Sequence, residues 1–117
     1  MKTLKAVVIG VGRIGALHAQ AYAQNPFVEL VAVVDSDITR AKKLADKFGC
    51  KFFESAESAV EQVNFDIVSI TTPEQSHVSI GELMAKEGKA IMMEKPIAPT
   101  MKEARQLLQA VEKYKAF

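Results

Sequence analysis

The run AVVIGVGRIG, residues 6–15, decides the reading of the fold. Ala6, Val7, Val8 and Ile9 make a continuous apolar, largely β-branched stretch, the pattern of a short parallel strand covered on both faces. Gly10, Gly12 and Gly15 follow with the spacing G-x-G-x-x-G, and helical periodicity then begins, with Ile14, Leu17 and Ala21 on one side. Each glycine has its own task in a dinucleotide site. Gly10 permits the tight turn out of the strand, Gly12 lets the backbone approach a pyrophosphate, and Gly15 lets the helix pack closely on the strand. The helix start then offers free N–H groups and a positive dipole end to the phosphates. Alone the string is weak, because the same glycines would suit a βαβ unit that uses them only for packing. A second apolar run, LVAVV at residues 30–34, strengthens it by ending in Asp35. That acid stands about 20 residues past Gly15, where the motif requires one at the tip of the second strand.

Working outward, Asn25-Pro26 stops the first helix and a strand over residues 28–34 follows. Ser36 and Asp37 are candidate N-caps for a second helix, with an apolar stripe of Ile38, Ala41, Leu44, Ala45 and Phe48 and an end at Gly49. Residues 51–53 read as a short strand, Ser55 as the cap of a brief helix through Val63, and residues 66–71 as the next strand. Thr72 as N-cap, Pro73 at the first helical position and Gln75 closing a capping box predict a helix through Leu83 and Met84 to Gly88. Residues 89–93 form the fifth strand. The last helix opens at Thr100, with Glu103 behind it, and is expected to bury Met101, Ala104, Leu107, Leu108 and Val111.

This alternation predicts an α/β fold: a doubly wound parallel sheet of about five strands with helices on both faces. The segments Gly10–Gly15, Asp35–Asp37, Thr72–His77 and Glu94–Pro96 then follow strands one, two, four and five and fall on one rim. Ligands bind such sheets there, near the point where strand order reverses.

Composition narrows the function. With 117 residues the chain reads as one domain, able to bury roughly two thirds of its unfolded surface. A net charge of +1 with no basic run argues against a nucleic-acid partner. Cys50 is the only cysteine, so no intrachain disulfide forms and a reducing cytoplasm fits; its place after Gly49, away from any histidine, suits an inert thiol. Residues 1–5 lead directly into the first strand without a signal sequence, and no run reaches membrane-spanning length. Two separated histidines and a lone cysteine do not supply metal-ligand spacing, so no metal site is expected. The absence of a G-x-S-x-G elbow and of a Walker lysine removes hydrolase and P-loop readings.

Among individual residues, Asp35 can accept hydrogen bonds from an adenosine ribose and would repel a 2′-phosphate, which favours NAD over NADP; the bland alternative is a strand-end acid that caps the next helix. Arg40, one turn into that helix, is near enough to reach over. Lys95 can serve as acid–base partner to a substrate hydroxyl or carbonyl, although most lysines after strands are simply solvated. Pro96 makes the 95–96 bond a candidate cis peptide. His77 lies just inside the helix after the fourth strand, and His18 beside the stripe of the first; singly, each is more often structural than functional.

Three segments together change that balance: GVGRIGALH (10–18), TTPEQSH (71–77) and MEKPIA (93–98). In this order and spacing they resemble the N-terminal, Rossmann-type domain of the Gfo/Idh/MocA oxidoreductases, the glucose-fructose oxidoreductase and inositol 2-dehydrogenase group. The resemblance covers essentially the whole chain, and E-K-P is its most specific part. It implies that Gly10, Gly12 and Gly15 form the dinucleotide loop, with Arg13 and Ile14 lending backbone N–H groups. Asp35 would hold the adenosine ribose, and Thr71, Thr72, Pro73 and His77 would line the cofactor trough. Glu94 and Lys95 would sit near the nicotinamide, with Lys95 as the catalytic contact to the reacting oxygen. Family members exchange a hydride between NAD(P) and a sugar or polyol.

The same resemblance sets residues 1–117 apart as a dinucleotide-binding domain without the family's second α/β domain, which carries the substrate pocket and the rest of the catalytic group. The chain is expected to be a truncated chain, a gene fragment or a stand-alone domain, with hydride transfer doubtful for it alone. The fifth strand, AIMM at residues 90–93, would be a bare edge and a template for a homo-oligomer. Two rivals remain on sequence grounds. A regulatory nucleotide-sensing module of the RCK type shares the glycine loop and the strand-two acid but gives no reason for T-P-x-x-x-H or E-K-P. A degenerate fragment would fold and bind nothing.

Overall fold

The computed structural model describes residues 3–116; Met1 and Lys2, part of the expected direct lead into the first strand, and Phe117 lie outside the described residues. Strands β1 (Leu4–Ile9), β2 (Val28–Val34), β3 (Lys51–Phe53), β4 (Ile67–Ile70) and β5 (Ala90–Met93) alternate with helices α1 (Arg13–Gln24), α2 (Ile38–Phe48), α3 (Ala56–Gln62), α4 (His77–Lys86) and α5 (Met101–Lys113). All four pairings are parallel, and the sheet order is β3-β2-β1-β4-β5. Strand order therefore reverses between β1 and β4, in register from Ala6 opposite Ile67 to Ile9 opposite Ile70.

Period-two alternation divides the sheet's side chains between two cores. Val7, Ile9, Ala32, Val34, Val68 and Ile70 pack with Ala56 and Ala59 of α3 and Met84 of α4. Val8 and Val33 face the other way, onto Ala19 of α1 and Ala41 and Ala45 of α2. Burying each Val or Ile is worth roughly 1.5–3 kcal/mol, so the β1–β4 centre is the most firmly held part of the molecule.

The helix boundaries follow local chemistry. Asp37 is the cap of α2, accepting from the Arg40 N–H, and Ser55 and Thr100 cap α3 and α5 in the same way. Gly49 ends α2 in the left-handed region, with φ 69°. Helix faces and starts differ from expectation in four places. The predicted capping box at Thr72 and Gln75 does not form: Pro73 is extended, Glu74–Ser76 make a 3-10 turn, and α4 begins only at His77. The Ser76 hydroxyl lies 2.7 Å from Thr72 Oγ1 and 2.8 Å from the Pro73 carbonyl, so it closes the turn in place of a helical cap. On α5 the buried residues are Leu107 and Ala110, while Met101 and Leu108 are 70% and 57% exposed. Leu107 is the residue that meets α4, close over Gly81. On α1 the sheet contact is made by Gly15 and Ala19, and Ile14, Leu17 and Ala21 are exposed. Small residues let the α1 axis approach the sheet, which turns the larger apolar side chains outward. Ile38 of the α2 stripe is likewise exposed.

Candidate dinucleotide site at the switch point

The glycine loop leaves β1 at the place where strand order reverses, and its shape is enforced by contacts that leave no room for a Cβ. Gly10 has φ +92°, and a Cβ there would stand 2.7 Å from the Thr72 nitrogen. A Cβ on Gly15 would run into the Gly10 carbonyl oxygen. Gly12 is different: the nearest atom is Arg40 Nη1, at 3.8 Å. The space over Gly12 is therefore not needed for protein packing, and Gly12 heads α1 with no side chain capping the helix. An uncapped helix start facing open space is the chemistry an anionic phosphate requires.

Thr71 binds the two sides of the switch point together, its hydroxyl lying 2.5 Å from the Gly10 carbonyl and 3.1 Å from that of Ile9. Asp35 ends β2 beside the loop. Its Oδ2 accepts from the Val11 N–H at 2.9 Å and its Oδ1 from the Asp37 N–H at 2.8 Å, while the capping of α2 falls to Asp37. Arg40 does reach over, placing Nη1 3.7 Å from Asp35 Oδ2. Together these groups line a cavity of about 880 Å³ that includes Gly10, Gly12, Asp35, Thr71, Thr72 and Pro73. Glu54, Ser55 and Glu57, after β3, extend its far end. The loop after β3 was not singled out from sequence, since nothing in its composition marks it; only the sheet order brings it to the rim.

The second half of the predicted site sits apart. His77 is 1% exposed, with Nε2 2.8 Å from the Thr72 carbonyl and Nδ1 2.9 Å and 3.2 Å from those of Pro96 and Ile97. Both ring nitrogens face backbone carbonyls, the single N–H of the neutral ring serving one side, so the His77 ring packs between the loop after β4 and the loop after β5, behind the trough wall. Glu94 is half-buried at the end of β5, its backbone N–H bonded to the Ile70 carbonyl at 3.0 Å. Its Oε2 is 3.9 Å from His18 Nε2. Lys95 is exposed, and the Lys95–Pro96 bond is cis. Glu94 and His18 belong to a second cavity of about 520 Å³, on the α1 side of β5, with Ile14, Leu17, Tyr22 and Met92. Sequence reasoning missed Ser69 and Tyr22, which support His18; the signal was a serine inside an apolar strand. At Cys50, burial pushes the thiol above its ordinary range, in keeping with an inert side chain.

With this geometry in view, residues 4–117 match the family described as "Oxidoreductase family, NAD-binding Rossmann fold", the Gfo/Idh/MocA group. The chain belongs to that family. Relatives include an inositol 2-dehydrogenase from Rhizobium meliloti, 36% identical over 116 residues, covering 97% of this chain and 34% of that protein. A UDP-N-acetylglucosamine 3-dehydrogenase from Acidithiobacillus ferrooxidans is 34% identical, covering 90% of this chain and 32% of that protein. Among solved structures, GenD2 from gentamicin A biosynthesis, in complex with NAD, superposes with a TM-score of 0.93 at 28% identity, over 99% of this chain and 33% of its own. The chain thus spans about a third of the length of these relatives. It is an NAD-binding Rossmann domain of this oxidoreductase family, and the RCK-type regulatory alternative finds no support.

Proposed function

We propose that residues 1–117 are the dinucleotide-binding domain of a dehydrogenase that exchanges a hydride between NAD and a hydroxyl or carbonyl of a sugar or polyol. The observation that carries this is the open space over Gly12 at an uncapped helix start, with Asp35 fixed beside it. In this reading Gly10, Gly12, Arg13, Ile14 and Gly15 receive the pyrophosphate through backbone N–H groups, and Asp35 holds the adenosine ribose. Thr71, Thr72 and Pro73 form the trough wall, with His77 fixing it from behind. Glu94 and Lys95 stand at the nicotinamide end, where Lys95 touches the reacting oxygen and moves its proton. The cofactor itself supplies hydride chemistry; the chain supplies binding, orientation and the proton.

Inositol and UDP-N-acetylglucosamine, the substrates in two relatives' names, share vicinal hydroxyls, and this supports a polyol or sugar substrate here. Asp35 supports NAD over NADP, because its carboxylate repels a 2′-phosphate, while Arg40 beside it is the group that could accept one. A single half-buried cysteine supports a reducing, cytoplasmic setting. β5, the last strand in the sheet order, with Met92 58% exposed, supports pairing with a second copy. Light scattering over a concentration series should show dimer formation that Met92→Lys suppresses, and a strictly monomeric mass at high concentration would sink the pairing.

The decisive test is calorimetric titration of the purified chain with NADH and NADPH. Tighter binding of NADH, weakened about tenfold or more in Asp35→Ala, is expected from loss of a charge-assisted ribose contact. Binding of neither nucleotide at millimolar concentration would reject the reading.

A further inference from the structure

Beside the cavity on the α1 side of β5 runs a chain of polar groups of which the dinucleotide reading uses only Glu94. Ser69 on β4 is fully buried, between Val68 and Ile70. Its Oγ lies 2.7 Å from the Tyr22 hydroxyl and 2.9 Å from His18 Nδ1, and the far ring nitrogen of His18 is 3.9 Å from Glu94 Oε2. An ionised carboxylate only accepts, so the nitrogen facing Glu94 is the one that carries hydrogen. In the neutral ring Nδ1 is then the acceptor. The Ser69 hydroxyl, with one hydrogen to give, donates to Nδ1 and is itself free to accept from Tyr22. One polarity, Tyr22 to Ser69 to His18, completes the hydrogen bonds of the chain and turns the Nε2–H toward Glu94 Oε2, an electrostatic approach at 3.9 Å rather than a hydrogen bond. The reverse polarity sets a nitrogen lone pair against a carboxylate oxygen.

We propose that His18 is a positioning residue, held as the Nε2–H tautomer by buried Ser69 and Tyr22, and that it fixes the Glu94 carboxylate at the nicotinamide end of the trough. The role of Glu94 rests on the dinucleotide reading above. The backbone of Glu94 is already secured to β4, but its side chain is 34% exposed, and His18 is the basic group that meets it among the described residues. Without a partner, such a side chain populates several rotamers. The α1 helix therefore acts twice: its first turn faces the phosphates, and His18, in its second turn, aligns the residue that precedes Lys95.

The test compares NADH with ADP-ribose, which lacks the nicotinamide, on the full 117-residue chain. Ser69→Ala and His18→Leu should each weaken NADH several-fold and leave ADP-ribose unchanged, whereas His18→Gln, which keeps an N–H donor, should recover most of the NADH affinity. Equal weakening of both ligands, or no change in either, overturns the proposal, because a purely structural role would not separate them. A nucleotide-free measurement stands beside it. Long-range ¹H–¹⁵N spectra of the unliganded chain should show His18 as the Nε2–H tautomer, and a mixture in Ser69→Ala; an Nδ1–H form in the wild type overturns the proposal whatever NADH does. If wild-type chain fails to bind ADP-ribose, the trough reading itself falls, and the role of Glu94 with it.

Discussion

The two ends of the rim are built on different principles. At the β1–β2 end the surface is made by backbone: Gly10 and Gly15 bring the chain within the reach of a single Cβ, and Asp35 spends its two oxygens on backbone N–H groups. At the β5 end the loop from Glu94 to Ile97 is mostly exposed; His77 of α4 meets its Pro96 and Ile97 carbonyls, and His18 of α1 comes within 3.9 Å of the Glu94 carboxylate. A backbone-shaped surface fails as a unit when one atom is added. A surface held by side chains fails one hydrogen bond at a time. The contrast predicts where the chain is brittle and where it is adjustable.

The largest effect should come from the tightest approach. Gly15→Ala places a methyl group against a backbone carbonyl that has no side-chain freedom with which to yield. We expect a loss of about 3 kcal/mol or more, at the upper end for an overpacked site, seen as a drop of more than about 10 °C in Tm or as failure to fold. Gly12→Ala is the paired control. Its added methyl meets only the end of Arg40, so stability should change by less than about 1 kcal/mol, while NADH binding is lost to the blocked approach. Equal melting temperatures for the two variants would break the distinction between packing glycine and ligand glycine.

His77→Leu tests the side-chain end. It keeps the volume roughly but removes the ring N–H, which in the neutral imidazole serves one side of the ring, either the Thr72 carbonyl or the carbonyls of Pro96 and Ile97, at a site that is 1% exposed. Unpaired buried carbonyls should cost about 2–3 kcal/mol in total, smaller than the Gly15 effect. Hydrogen exchange should quicken around residues 72–77 and 94–98 while protection in β1 and β2 stays as it was. A uniform loss of protection over the whole sheet would mean that the two ends are not independent.

The same division explains what the sequence could and could not tell. The glycine loop, Asp35 and the strand–helix alternation were legible because steric demands of the backbone admit few residue types at fixed spacing. The caps at Asp37, Ser55 and Thr100 were legible for a similar reason, since they are local. The capping box at Thr72 was not, because Pro73 takes an extended conformation and Ser76 competes for the Thr72 hydroxyl. Helical periodicity also misjudged α1, α2 and α5, where Leu17, Ile38, Met101 and Leu108 are exposed. Periodicity marks an apolar stripe but not which part of it meets the sheet, and on α1 the small residues Gly15 and Ala19 make that contact. The link from Ser69 through His18 to Glu94 joins residues distant in sequence, so only the assembled sheet reveals it.

Lys95 should give the smallest structural effect and the sharpest comparison. Its side chain is exposed, it takes part in no ion pair among the described residues, and no buried group depends on it. Lys95→Ala should therefore leave stability within about 0.5 kcal/mol of wild type, and leave the affinity for ADP-ribose unchanged, because Gly12 and Asp35, the residues proposed to take the pyrophosphate and adenosine, line the cavity at the other end of the rim. An exposed loop lysine can be removed without disturbing the scaffold, in contrast to Gly15, which no substitution can replace without displacing the loop. Thermal denaturation and ADP-ribose titration of the one variant examine both halves of this statement. If Lys95→Ala melts several degrees lower, or loses ADP-ribose, the β5 end is part of the same rigid unit as the glycine loop, and the separation of a backbone-built end from a side-chain-built end has to be abandoned.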